Sequence, residues 1–341
     1  MTLSPIITVE EFTDASAFLG ALRASGDRWL STGDYAHRWV FRGHASADWR
    51  LLPTAWRPDQ MDIAAIVGAL SAMPPAQIGQ FLGAPQRWEL DSQIAELVAN
   101  QRWYPDVRAR GVDDATLTLR LRTLVYQLVA EAVAVREFTQ LADELGHFAI
   151  PSRYLFQSLH VNELIDKDGK LPDGADSAQH HRIPTRLLDW TASPLAAAFF
   201  AASSVPPGGA GQLAVWALKP PILESPLQET HLRVVRYPQA SNRNLHAQQG
   251  LFTLVVQPPL GHEAGRRPHF YLEHGRWPEI NGDVMGEFEL RKLTLPQSEA
   301  KDLQRLLWVE GVSKAHLMPG YDSVAETVRQ MWQVGTLVYR P

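Results

Sequence analysis

Residues 178–200 read AQHHRIPTRLLDWTASPLAAAFF, and the stretch changes character at its middle. Up to Thr191 it mixes histidines, arginines, an aspartate and hydroxyls with a few large apolar residues. From Pro194 it is an apolar run, continued to PLAAAFFAAS over 194–203. Proline is favoured in a first helical turn, where its missing N–H costs nothing, so 194–203 is expected to be a buried helix. The polar half is then delivered to the start of that helix. Two adjacent histidines, His180 and His181, would point to opposite faces of a strand and so would not ligate one metal together; no metal site is expected. One of them is expected to be a hydrogen-bonding site residue. Trp190 reads first as core.

A second polar and aromatic stretch lies far upstream, FRGHASADWRLLPTAWR at 41–57. Residues 38–42 (RWVFR) suit a short strand ended by Gly43. Residues 48–58, interrupted by Pro53, suit a packed loop. An arginine at a strand end offers a planar fork of donors for phosphate oxygens, and a neighbouring glycine lets a ligand approach the backbone. The bland alternative for Arg42 is a structural ion pair with Asp189 or Asp48. Trp39, Trp49 and Trp56 flank basic residues. Base stacking is one reading of them, and a packed aromatic loop is the preferred one.

Working outward, residues 9–24 carry Phe12, Phe18, Leu19 and Leu22 at helical spacing. After Asp113, which can cap a helix, Leu117, Leu121, Leu124, Leu128, Ala132, Val135, Phe138, Leu141 and Leu145 recur every three or four residues, and Gly146 is a natural stop. One long helix is expected over 113–146, with Arg120, Gln127, Glu131 and Glu137 off its apolar face. Downstream, 212–218, 251–257, 269–272 and 287–295 suit strands, 298–309 and 320–333 suit helices, and the final VGTLVYR suits an edge strand. Helices first and strands mostly later give an α+β fold with a mixed or antiparallel sheet rather than an alternating α/β one.

The 341 residues are 45% hydrophobic and 20% charged, enough for one large domain or two ordinary ones with real cores and against wholesale disorder. A net charge of −5 argues against bulk electrostatic binding to nucleic acid or anionic membrane. With no cysteine, disulfides, thiolate catalysis and Cys-ligated zinc are excluded. The opening MTLSPIITVEEF has no basic region followed by an apolar run, and no apolar stretch nears the ~20 residues of a spanning helix, so a cytoplasmic protein is expected. There is no GxxxxGK[ST], no GxGxxG after a strand, no HExxH and no GxSxG.

The segments at 41–57 and 178–200 together resemble the FRG-domain family, named for the Phe-Arg-Gly that is Phe41-Arg42-Gly43 here. The runs AQQGLFTLV (247–255) and GVSKAHLMPGYDSVAETV (311–328) fit the same resemblance, and His44 stands where the family often has Gln. A second resemblance is to arginine-type ADP-ribosyltransferases. These open on a strand ending in an aromatic-Arg-Gly, continue with a Ser/Thr-rich strand leading into a helix, and present a catalytic Glu on a later strand. Arg42-Gly43 and the 189–193 segment match the first two elements in outline. At the third, Gln248-Gln249-Gly250 stands where such an enzyme presents Glu-x-Glu, and Glu287 and Glu289 lie further on.

The resemblances imply an ADP-ribosyltransferase-like sheet with a helical insertion: residues 1–60 and 151–341 would form the FRG domain around an insertion at 61–150. The expected function is binding of NAD or a related nucleotide and transfer of ADP-ribose or hydrolysis of NAD, as a toxin or defence effector. The expected catalytic residues are Arg42, His181, Thr191 and Gln249. The expected ligand contacts are Arg42, Gly43, His180, Asp189, Trp190 and Ser193. A non-catalytic nucleotide- or protein-binding module is the first alternative. A nuclease or phosphodiesterase using His180 or His181, with Asp189 as second proton-transfer group, is the other.

Overall fold

The computed structural model describes residues 7–23, 25–29, 39–57, 61–74, 77, 90–99, 112–147, 174–219, 232–237, 239, 242–255 and 289–333. In chain order these hold strand β1 (Ile7–Glu11), helix α1 (Ala15–Leu22), β2 (Val40–His44), α2 (Met61–Ala72), α3 (Leu90–Ala99) and α4 (Asp114–Glu144). Then come α5 (Ala175–His180), β3 (Leu187–Thr191), α6 (Pro194–Ser203), β4 (Gln212–Lys219) and β5 (Leu232–Val235). The order ends with α7 (Arg243–Ala247), β6 (Gly250–Val255), β7 (Glu289–Pro296), α8 (Ala300–Val309), α9 (Lys314–Leu317) and α10 (Tyr321–Gln333).

The seven strands form one mixed sheet in the order β1-β7-β4-β2-β3-β6-β5. Only β1 and β7 pair in parallel; the other pairs are antiparallel. This is the expected α+β architecture. Because side chains alternate along a strand, both faces of the sheet are covered, and the buried residues fall into three clusters, the smallest of which gathers Leu187, Phe252 and Leu254 with Val135 of α4 and the alanines of α5. Val40, Leu188, Trp190, Trp216, Leu218 and Leu251 face Leu70, Ile94, Leu117, Leu121 and Leu124 of α2, α3 and α4. Phe41, Val215, Ala217, Leu293 and Leu295 face the alanines of α6 together with Phe18 and Leu22 of α1 and Leu303 and Leu307 of α8. Among the described residues no helix is long and apolar enough to cross a membrane.

The long helix is α4, 31 residues capped by the Asp113 carboxylate, which accepts from the Thr116 N–H at 2.8 Å. Gly146 adopts φ +71° just past its end, the left-handed turn a glycine makes cheaply. Two expectations about its faces fail. Leu141 and Leu145 are exposed, because the last turns of the helix run out of the core. Gln127 and Glu131 are buried at 3% and 2% exposure. Gln127 donates from Nε2 to the Ala55 carbonyl at 3.2 Å, and Glu131 accepts from the Arg186 N–H at 2.8 Å. From Leu124 to Val135 the helix is surrounded, so polar side chains survive there only with partners.

The N-terminal reading also changes. Residues 9–11, read as the start of a helix, belong to strand β1, and α1 begins only after Asp14, whose side chain accepts from the Ala17 N–H at 2.8 Å. Strand β5 was not separately expected, and β3 is the strand that the second resemblance implies before the 194–203 helix, placed at 187–191 rather than 189–193. The 269–272 strand, Glu287 and the VGTLVYR strand lie outside the described residues.

Candidate functional site

Strands β2 and β3 lie at the centre of the sheet and pair at one position, Phe41 with Thr191. Beside that position the Arg42 side chain bridges the two strands. Its Nη1 donates to the Asp189 carbonyl oxygen at 2.7 Å and lies 3.5 Å from the Asp189 carboxylate. Its Nε donates to His44 Nε2 at 3.0 Å. A guanidinium held by a backbone carbonyl and a ring nitrogen is fixed in direction before any ligand arrives. The Arg42 side chain keeps 15% of its surface exposed, and the Asp189 side chain 57%.

His44 follows Arg42 by two residues on the same face of β2 and is buried. Burial, then the charges of Arg42 and Arg57, push its pKa down to about 3. The ring is therefore neutral at physiological pH, which lets Nε2 act as the acceptor for Arg42. Lys292 also bears on this ring. It reaches the site across the register, since Trp216 of β4 stands between Arg42 of β2 and Lys292 of β7. The Lys292 ammonium lies 5.1 Å from the Trp216 ring and donates to the Ala47 carbonyl at 2.6 Å. Burial weakens the hold of Arg42 on its proton, the Asp189 carboxylate opposes this, and Arg57 adds to burial. Three cations thus converge on a neutral histidine, with Asp189 the one carboxylate acting on Arg42 among the described residues. Such a site favours an added anion.

The other expected site residues are placed as follows. Gly43 does make a close approach, but to a helix: a Cβ there would lie 1.9 Å from the Ala197 carbonyl oxygen of α6. Thr191 shares the face of Phe41, opposite to Arg42. Its hydroxyl donates to the Gln248 carbonyl at 2.6 Å and accepts from the Ser193 N–H at 2.9 Å, so it ties the strand end to the β6 turn. Ser193 is the cap of α6, accepting from the Ala196 N–H at 3.2 Å. Trp190 is core, its Nε1 donating to Thr253 Oγ1 at 2.9 Å. Gln249 is exposed, takes a left-handed φ of 50°, and accepts from the Ala192 N–H at 3.0 Å. His181 is exposed and stacks on Phe138 of α4 with centroids 5.7 Å apart. The His180 side chain lies outside the described residues. The structure therefore brings Arg42 and Asp189 together and sets Thr191 and Gln249 around the adjoining turn.

His44, Arg57 and Lys292 were missed. The alternation Arg42-Gly43-His44 is a signal for His44, because residues two apart on a strand share a face. Lys292 has no such signal, since only the register through β4 brings it near.

Residues 108–207 match the family model described as FRG domain. The match runs through α4, α5, β3 and α6 and includes the whole 178–200 segment, and it supports the FRG-domain family for this part of the chain. Phe41-Arg42-Gly43 lies outside it. No curated protein and no solved structure matches the chain, and nothing in these comparisons ties it to ADP-ribosyltransferases.

Proposed function

We propose that the Arg42 site binds the diphosphate of a nucleotide of the NAD class, and that the protein cleaves the nicotinamide–ribose bond, passing ADP-ribose to an acceptor or to water. The observation that carries this reading is the preset Arg42 guanidinium, part-exposed, with Arg57 and Lys292 bearing on the adjoining His44 and with Asp189 as its partnering carboxylate among the described residues. Phosphate oxygens match the arginine fork, and two phosphates would offset the surplus positive charge. Loss of nicotinamide develops positive charge on the ribose, which a nearby carboxylate stabilises. Asp189 is the carboxylate beside Arg42, and its exposure leaves it open to a ligand.

A non-catalytic nucleotide-binding module is the second reading. It is favoured by Gln248-Gln249 at the start of β6, where a carboxylate would be wanted, and by the commitment of the Thr191 hydroxyl to backbone groups. One pair of measurements separates the two. Calorimetry should detect NAD and ADP binding to the wild type, and Arg42→Ala should lose it. Incubation with NAD should release nicotinamide from the wild type only. Binding without release selects the module. No binding of NAD, ADP-ribose or ADP at millimolar ligand rejects both readings.

A further inference from the structure

Among the three tryptophans of the 39–57 region, the structure makes a division that composition does not. Trp39 and Trp56 are buried, at 5% and 1% exposure. Trp49 is 54% exposed, and its ring meets the His44 ring edge to face at 6.0 Å between centroids. A large exposed indole therefore stands one ring away from the group that holds the Arg42 Nε.

The loop carrying it is tied down at several points. The Ala47 N–H donates to the Gln212 carbonyl at 2.7 Å, and the Ala47 carbonyl accepts from Lys292 Nζ at 2.6 Å. The Ala45 carbonyl accepts from Gln297 Nε2 at 2.7 Å. The Trp49 N–H itself closes a turn onto the Ser46 carbonyl at 3.2 Å. An exposed tryptophan on a fixed loop loses little freedom when a flat ring is laid on it, whereas one on a floppy loop would have to be ordered first. Lys292 links the two functions, because the same ammonium that bears on His44 also holds the loop.

We infer that Trp49 is the stacking platform for the ligand's nucleobase, so that the site selects nucleoside diphosphates over diphosphates lacking a base. The inference rests on the reading of Arg42 as a diphosphate anchor. Base–aromatic stacking tolerates any base, since each has a π face, so Trp49 supplies affinity for a nucleotide rather than choice among bases. The charge cluster and the indole divide the work: cations hold the phosphates and the ring holds the base.

Calorimetric titration of the full chain with inorganic pyrophosphate and with ADP tests this. The wild type should bind ADP on the order of tenfold more tightly than pyrophosphate. Trp49→Ala should abolish that advantage while leaving pyrophosphate affinity unchanged, and Trp49→Phe should keep part of it. Arg42→Ala should weaken both ligands. Equal loss of ADP and pyrophosphate in Trp49→Ala, or no loss of either, overturns the platform while leaving the anchor standing. Unchanged binding of both ligands in Arg42→Ala overturns the anchor itself, and the inference with it. Because Trp49 is exposed, thermal melts of its variants should match the wild type, which keeps a folding defect from imitating a binding one.

Discussion

Arg186 and Asp189 stand three residues apart, and each belongs to an arginine–carboxylate pair. Arg186 meets Glu131 of α4, with Nε and Oε2 3.4 Å apart and side chains 1% and 2% exposed. Asp189 meets Arg42 of β2, with its carboxylate more than half exposed. In the first pair the Glu131 carboxylate also accepts the Arg186 backbone N–H, and Gln127 one turn away grips Ala55, whose own N–H donates to the Thr185 carbonyl at 3.1 Å. Helix, loop and motif are thereby fastened into one closed unit. In the second pair the arginine is held chiefly by a carbonyl and a neutral histidine, and the carboxylate is left at the surface. The two pairs contain the same chemical groups. Burial and the origin of the remaining hydrogen bonds give one a holding role and the other a receptive one.

The sharpest way to break this comparison is to remove each carboxylate. Glu131→Ala takes the carboxylate from the buried Arg186 charge, and the expected cost is about 3–5 kcal/mol in urea unfolding. The Glu131 carboxyl is itself shifted upward by burial, against the pull of Arg186, so part of the pair's cost is already being met in the native protein. Replacing both groups by apolar ones of similar size, Glu131→Leu with Arg186→Met, should recover much of the loss. A change under about 1 kcal/mol in Glu131→Ala alone would show that the clasp is not closed and would put the two pairs in the same class.

The clasp is also where the sequence misled. A glutamate on a leucine-rich helix reads as solvent-facing unless its partner is known, and Arg186 lies 55 residues further along the chain. The periodicity that located α4 so well carries no information about what covers its other side. In the same way residues 9–11 of β1 were read as the start of a helix, because the strand is ordered by a parallel partner near the other end of the chain. Gly43 was read as a place where a ligand approaches the backbone, whereas the space a Cβ would take there is filled by the backbone of α6, which no local sequence pattern reveals. Arg42 and Asp189 were legible because each is a charged group inside a recognisable motif. Lys292 was not, because it is one charge on an alternating strand and acquires meaning only from the row Arg42–Trp216–Lys292.

A smaller effect is expected from pH, and it probes the receptive side. The folded pKa of His44, about 3, lies below its unfolded value near 6.5. Above that unfolded value the ring is neutral in both states and costs nothing. As pH falls below it, the unfolded chain takes up a proton that the folded protein refuses, so stability is lost between roughly 6.5 and 3. At about 1.4 kcal/mol per pH unit, the loss attributable to His44 should be about 2 kcal/mol by pH 5. His44→Gln should remove that part of the slope in urea titrations at pH 7 and pH 5, whatever it does to stability at pH 7. Equal slopes in the two proteins would mean that His44 is protonated in the fold and that it does not accept from Arg42.

The smallest effect on stability belongs to Asp189, and it is the most informative about function. Asp189→Asn removes a half-exposed charge 3.5 Å from Arg42 but leaves the carbonyl at 2.7 Å, because that bond comes from the backbone. The guanidinium should therefore keep its direction, and the melting transition should move by no more than an exposed ion pair is worth, about 0–1 kcal/mol. Pyrophosphate should bind as well as before or better, since a carboxylate competing for Arg42 has been neutralised. Nicotinamide release should fall on the order of a hundredfold, because a neutral amide cannot stabilise the positive charge that develops on the ribose. Tighter anion binding with lost turnover is a combination that a merely structural ion pair does not produce. If Asp189→Asn instead weakens pyrophosphate and destabilises the fold as Glu131→Ala does, the Arg42 pair is a second clasp, and the site must be sought elsewhere on the sheet.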